Sequence, residues 1–333
     1  MSLKKIMPLP ALSAPQFYSD KKRSSVILFM PIFLISLPIF LIIFSGWLLK
    51  KFKVVTDDWI HILNVFAYYV SLPALIVNSF WEIDFLNRGS MNMIFWSLTA
   101  ILLMSLAIFI FLHLLKIDRN LKTAIFLSAT VGNTIYMGFP LVELGFGKNY
   151  LSDAALVGTI YLIVPLLITI LLVKYWHCRE NCLNEELVSF IKNPLTISVL
   201  VGVVFSFIDF GNPFIAGVKK SVSLLGATAS PVALFALGGF IYGRFLKKDL
   251  GKLFLVSFLK MIIFPFVIVL GALYLFKMGD VRVLILLASS PVAVTTFVIA
   301  EKFNLDKDLI GNSIIISTIL SFIVAPLVIY LFR

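Results

Sequence analysis

Runs of about twenty apolar residues, each bounded by charged or turn-forming residues, recur from residue 26 to the end of the chain. No other feature constrains the fold as strongly. About 20 apolar residues in a helix cross about 30 Å of hydrocarbon, where every backbone N–H and C=O must find a partner inside the protein. Counting the runs predicts ten spans, near 26–49, 58–80, 91–115, 121–147, 153–174, 188–208, 217–243, 252–276, 281–303 and 308–331. The expected fold class is an all-α polytopic membrane protein. Composition agrees, since 60% of residues are hydrophobic and only 14% are charged. The formal charge of +11 is spread over short clusters between the runs, so it bears on topology rather than on nucleic acid, which is excluded as a partner.

The polar segments sort by chemistry. Residues 1–25 hold lysines and small residues, but their apolar part is short and broken by proline, so a flexible N-terminal tail is expected rather than a secretory signal. Cys178 and Cys182 lie close together in the most polar loop, 175–187, which excludes a disulfide framework. With His177 they offer three ligands and no nearby fourth, so the expected metal and cofactor complement is none. Lys and Arg concentrate in the loops after spans one, three, five, seven and nine. The positive-inside rule therefore places loop 175–187 in the cytoplasm and both termini outside, although the basic N-terminal tail argues the other way.

The halves of the chain echo one another. "DAALVG" (153–158) and "DKDLIG" (306–311) each precede a long final span, "SLPAL" (71–75) is matched by "SPVAL" (230–234), and Pro140 in span four by Pro291 in span nine. The chain thus divides into a first five-helix repeat, 26–174, and a second, 188–333. An odd number of spans per repeat inverts the second copy relative to the first. Inverted repeats with paired, interrupted spans are a feature of secondary transporters, whose binding site lies where the interruptions meet.

Span four contains "TVGNTIYMGFPLVELGFG" (130–147), with four glycines, a proline, an asparagine and a glutamate in a stretch that must cross lipid. Pro140 cannot donate to the Tyr136 carbonyl and Gly138 frees the backbone, so a break is expected around 138–140. Its polar surroundings come from Asn133, Thr134 and Tyr136. Span nine carries Ser289 and Ser290 before Pro291, and Thr295 and Thr296 after it. Antiparallel spans crossing at these breaks would bring two half-helix N-termini together, with unpaired N–H groups suited to a carboxylate. Pro31, Pro38, Pro165, Pro265 and Pro326 read as packing kinks. Lys260 in span eight either attracts an anion or compensates charge inside the bundle, or snorkels to an interface. Asn78 in span two is a candidate for the substrate path. Glu143 and Glu301 lie close to the interfaces, and no intramembrane acidic ladder identifies a coupling ion.

The stretches "LPALIVNSF", "GNTIYMGFPL", "NPLTISVLVG", "ASPVALFALGG" and "SSPVAVTTFVIAEKF" occur in spans two, four, six, seven and nine. In that order and spacing the chain resembles the auxin efflux carrier family, whose prokaryotic members include malonate and other dicarboxylate carriers, related to the bile acid:sodium symporter superfamily. The resemblance implies a scaffold of spans one, two, six and seven that forms a homodimer interface. It also implies a transport domain of spans three to five and eight to ten, crossing at Pro140 and Pro291 and moving in an elevator-like way. By that analogy Asn133, Thr134, Tyr136, Gly138, Pro140, Ser289, Ser290, Pro291 and Thr295, with Asn78 and Lys260, are the substrate-site candidates. The long central loop of plant members is reduced here to 175–187, and span three lacks the acid of auxin carriers, which argues against auxin and against proton linkage there.

The expected function is a secondary transporter of small organic anions, mono- or dicarboxylates, in the plasma membrane, with Na+ or H+ open as coupling ion. The alternatives are a sodium-coupled symporter of the bile-acid or keto-acid type and, from another class, an intramembrane enzyme or receptor. Three scattered histidines and no acidic pair offer an enzyme nothing to work with at membrane depth.

Overall fold

The structure, a computed structural model, describes residues 25–83, 88–177, 192–207, 213–243, 250–274 and 280–332. The described residues are helical nearly throughout, and seven helices are long and apolar enough to cross a membrane. In chain order they form α1 (Ser25–Lys51), α2 (Asp57–Trp81), α3 (Arg88–Leu114), α4 in two halves (Arg119–Thr130 and Thr134–Phe146) and α5 (Leu151–His177). There follow α6 (Pro194–Ser206), α7 (Pro213–Ile241), α8 (Leu250–Phe258 and Phe264–Tyr274, joined through Leu259–Ile263), α9 in two halves (Arg282–Ala288 and Thr295–Phe303) and α10 (Lys307–Phe332). Each predicted span is occupied by one of these helices. The tail before residue 25 and the "CRENC" segment lie outside the described residues, whereas residues 175–177, expected to open the polar loop, continue α5 to His177.

Helix starts follow from short polar side chains. Asp118 accepts from the Asn120 and Leu121 amides at the start of α4, and Asn193 accepts from Leu195 N at 2.9 Å at the start of α6. Pro194 is then the first residue of α6, where its missing N–H costs nothing.

Proline has a second, more informative effect. Three wide π turns interrupt the helices, at Ala67–Ser71, Thr134–Gly138 and Leu259–Ile263. Each is followed by an apolar residue and a proline: Leu72-Pro73, Phe139-Pro140 and Phe264-Pro265. A proline ring clashes with the carbonyl four residues back and cannot bond to it, and one extra residue in the preceding turn removes the conflict. The Leu72 amide bonds to Ala67 O, the Gly138 amide to Asn133 O and the Phe264 amide to Leu259 O, each five residues back.

The helices pack in two groups. α1 lies on α7, and α2 on α6 and α7. The α1–α7 crossing is so close that a Cβ at Gly46 would overlap the Phe235 carbonyl, and one at Gly238 the Ile43 carbonyl. α3, α4 and α5 pack on one another, α8 on α9 and α10, α9 on α5, and α10 on α4. The groups meet where α1 touches α10 and the second half of α4, where α2 touches α5, and where α7 touches the turn Thr134–Gly138. The first half of α4 is buried continuously from Thr123 to Thr130, and that of α9 from Val283 to Ala288. A helix buried on every side is surrounded by protein, which is where a broken helix can exist at membrane depth.

Candidate functional site

The interruptions of α4 and α9 face each other. Asn133 N donates to Pro291 O at 2.7 Å and Ala293 N to Val131 O at 3.2 Å, forming an antiparallel bridge centred on Gly132 and Val292. Two strands one bridge long thus cross in the middle of a helical bundle, and each satisfies backbone groups that the other's helix released. The break in α4 lies at 131–133 rather than at the expected 138–140. Pro140 is absorbed as an early residue of the helix Phe139–Phe146 after the π turn, whereas the chain leaves helical geometry at Val131, where pairing with α9 replaces the helical bonds.

Neighbouring helices complete the crossover. Ser317 of α10 accepts from Val292 N at 3.0 Å, and Thr134 Oγ1 donates to the Gly158 carbonyl of α5 at 2.9 Å. Ser317 was not among the sequence candidates. Its signal was present, since Asn312, Ser313, Ser317, Thr318 and Ser321 form a buried polar stripe in an otherwise apolar helix.

A narrow cavity, with room for roughly one water, opens at the crossover. Its walls are Gly132, Asn133, Thr134, Ile135 and Tyr136 from α4, Ala293 and Thr295 from α9, Leu162 from α5 and Leu72 from α2. Two polar groups here are buried and have no hydrogen-bond partner among the described residues, the Asn133 side-chain amide (Nδ2) and the Thr295 hydroxyl. Asn133 itself is 3% exposed. These groups stand beside the first turns of the second halves of α4 and α9, whose N–H groups carry partial positive charge. The arrangement can donate to an anion.

The other candidates are placed differently. Ser289 and Ser290 bond back to the Leu286 and Leu287 carbonyls at 2.9 and 2.6 Å, so their hydroxyls close the end of their own helix. Gly138 is buried where α4 meets Leu287 of α9, and Pro140 is half-buried behind it. Asn78 on α2 has a buried carbonyl oxygen without a partner among the described residues, but it is not a cavity wall. Lys260 is completely buried and donates to the Ala288 carbonyl at 2.7 Å; it too is not a cavity wall. Snorkelling to an interface is therefore not its conformation.

At the far end of α9, Arg282 donates to Asp280 through both Nε, at 2.9 Å, and Nη2, at 2.6 Å, and the Tyr150 hydroxyl donates to the same carboxylate at 3.1 Å. The Arg282 guanidinium beside Asp280 holds its carboxyl below the usual aspartate value, against the opposing effect of partial burial. This cluster ties the start of α9 to the α4–α5 turn.

Comparison with known proteins agrees with this architecture. Residues 31–329 match the family model described as "Membrane transport protein". An uncharacterized transporter of Methanocaldococcus jannaschii is 24% identical over 299 residues, covering 87% of this chain and 95% of that protein. An uncharacterized transporter of Methanothermobacter thermautotrophicus is 26% identical over 87% of this chain and 95% of its own length. A Rhizobium meliloti protein named "Putative malonate transporter" is 26% identical over 89% of this chain and 94% of its own. With nearly the whole bundle matched, the chain belongs to the membrane transport protein family, that of the auxin efflux carriers, and is a multi-pass membrane transporter.

Proposed function

We propose that this chain is a secondary carrier of small organic anions, mono- or dicarboxylates, across the plasma membrane. The observation that carries the reading is the pair of buried donors without a partner among the described residues, Asn133 Nδ2 and Thr295 Oγ1, beside two half-helix N-termini at one cavity. An unpaired buried donor costs roughly 1–3 kcal/mol, which a bound carboxylate would recover. The cavity's apolar walls, Leu72, Ile135, Leu162 and Ala293, suit a short carbon chain between carboxylates. The name of the Rhizobium meliloti relative is in keeping with that chemistry.

In this reading α3–α5 and α8–α10 move as a transport domain against a scaffold of α1, α2, α6 and α7, which also forms the homodimer. The cavity supports such a motion, because Leu72 from the scaffold closes a site otherwise built from the opposite group. The repeats 26–174 and 188–333 are inverted copies, loop 175–187 is cytoplasmic and both termini are outside.

The test is uptake and counterflow in proteoliposomes with a panel of mono- and dicarboxylates. Saturable flux of at least one, inhibited by the others, is expected; a sodium-coupled symporter would instead lose its flux when sodium is replaced by N-methylglucamine.

A further inference from the structure

Lys260 is 0% exposed, in the π turn of α8, and its surroundings are specific. Its Nζ donates to the carbonyl of Ala288, the last residue of the first half of α9, and lies 4.9 Å from the centre of the Phe264 ring. A Cβ on Gly132 would stand 2.7 Å from both Cε and Nζ, so the ammonium also abuts the unwound segment just beyond Thr130, where the first half of α4 ends. Among the described residues no carboxylate forms an ion pair with it.

A cation buried without a carboxylate needs another source of negative potential. Helix C-termini supply one, since each carries roughly half a negative charge and unpaired carbonyls. One such end, that of the first half of α9, accepts from Lys260 through Ala288 O, and the segment that follows the other end, at Gly132, lies against the ammonium. We propose that the Lys260 ammonium is a built-in cation that joins the C-terminal ends of the first halves of α4 and α9, so that the crossover carries its own positive charge and needs no metal ion there. The crossover is then divided electrically. Its negative ends meet Lys260, while its N-terminal ends, with Asn133 and Thr295, meet the cavity. The π turn gives the lysine its position, and Gly132 leaves the room that its ammonium fills.

The proposal does not rest on the substrate suggested above, and its test needs no transport. Thermal unfolding of the purified full-length chain in detergent is compared for wild type, Lys260→Ala and Lys260→Met, with choline as the background cation. n-Propylammonium, which replaces the atoms that the alanine variant lacks, or sodium is then added. Lys260→Ala is expected to melt below wild type and to be raised by on the order of 3 °C by n-propylammonium or sodium, while wild type does not respond. Lys260→Met fills the space without charge and is expected to stay low in every salt. A methionine variant that melts with wild type, or an alanine variant that neither cation raises, overturns the proposal. Should Lys260→Ala not survive extraction, its yield on solubilising membranes with and without n-propylammonium decides: a higher yield supports the built-in cation and an equal yield contradicts it.

Discussion

Ser317 and Asp280 show how differently two polar side chains act in this protein. Ser317 is fully buried and gives the Val292 amide its partner at the crossover, at 3.0 Å. Ser317→Ala leaves that amide unpaired and is expected to cost about 1–3 kcal/mol, read as a lower melting temperature of the purified protein. Asp280 is about two-fifths exposed, so its ion pair with Arg282 is worth little at neutral pH. Its contribution nevertheless has a defined pH dependence. A carboxyl held below its ordinary value stabilises the fold fully above the unfolded value, about 3.9, and the contribution disappears as pH falls through the lowered native one. Asp280→Asn should therefore melt slightly below wild type by a constant margin above about pH 4, and that margin should vanish as pH falls further, as measured by thermal melts across the range. The polarity of Asn133 and Thr295 was legible in the sequence as chemistry out of place in a span. That they lack partners among the described residues, whereas Ser289 and Ser290 satisfy themselves, was not, because serine and threonine hydroxyls can always bond back to their own helix.

Among the elements, α4 carries the most specific expectation. Pro140 forces the π turn Thr134–Gly138, and alanine at that position restores an amide able to bond to the Tyr136 carbonyl. Relaxing a π turn to α geometry rotates what precedes it by roughly 100° about the helix axis, which would carry Asn133 off the cavity. Pro140→Ala is expected to abolish most transport while the melting temperature holds or rises; unchanged flux with an unchanged melt would show that the π turn is incidental. The spans themselves were readable, because length and hydropathy suffice for a helix that must cross hydrocarbon. The position of the break in α4 was not. Local rules point to the proline, but the helix opens where Gly132 and Asn133 pair with 291–293, a contact 160 residues away in the chain that no local pattern announces. Pro265 illustrates the same limit, since it reads as a packing kink while the π turn before it positions Lys260.

At the scale of the whole molecule, two groups of helices meet at one small cavity whose polar wall comes from the crossover and whose closing residue, Leu72, comes from the opposite group. The sequence echoes between halves anticipated that spans four and nine would be the interrupted pair. They could not show how narrow the cavity is, since that depends on how closely the groups pack. We infer that a site with room for roughly one water admits a carboxylate once the two groups move apart, so that opening is part of the proposed transport cycle. The most direct measurement is counterflow into proteoliposomes of a labelled mono- or dicarboxylate that the panel shows to be carried, comparing wild type with Asn133→Ala and Thr295→Val at matched protein incorporation. The account predicts saturable counterflow by wild type and a loss of about tenfold to a hundredfold in each variant, the cost of a hydrogen bond to a charged group, with melting temperatures that hold or rise as an unpaired buried donor is removed. Counterflow that persists undiminished in both variants would contradict it.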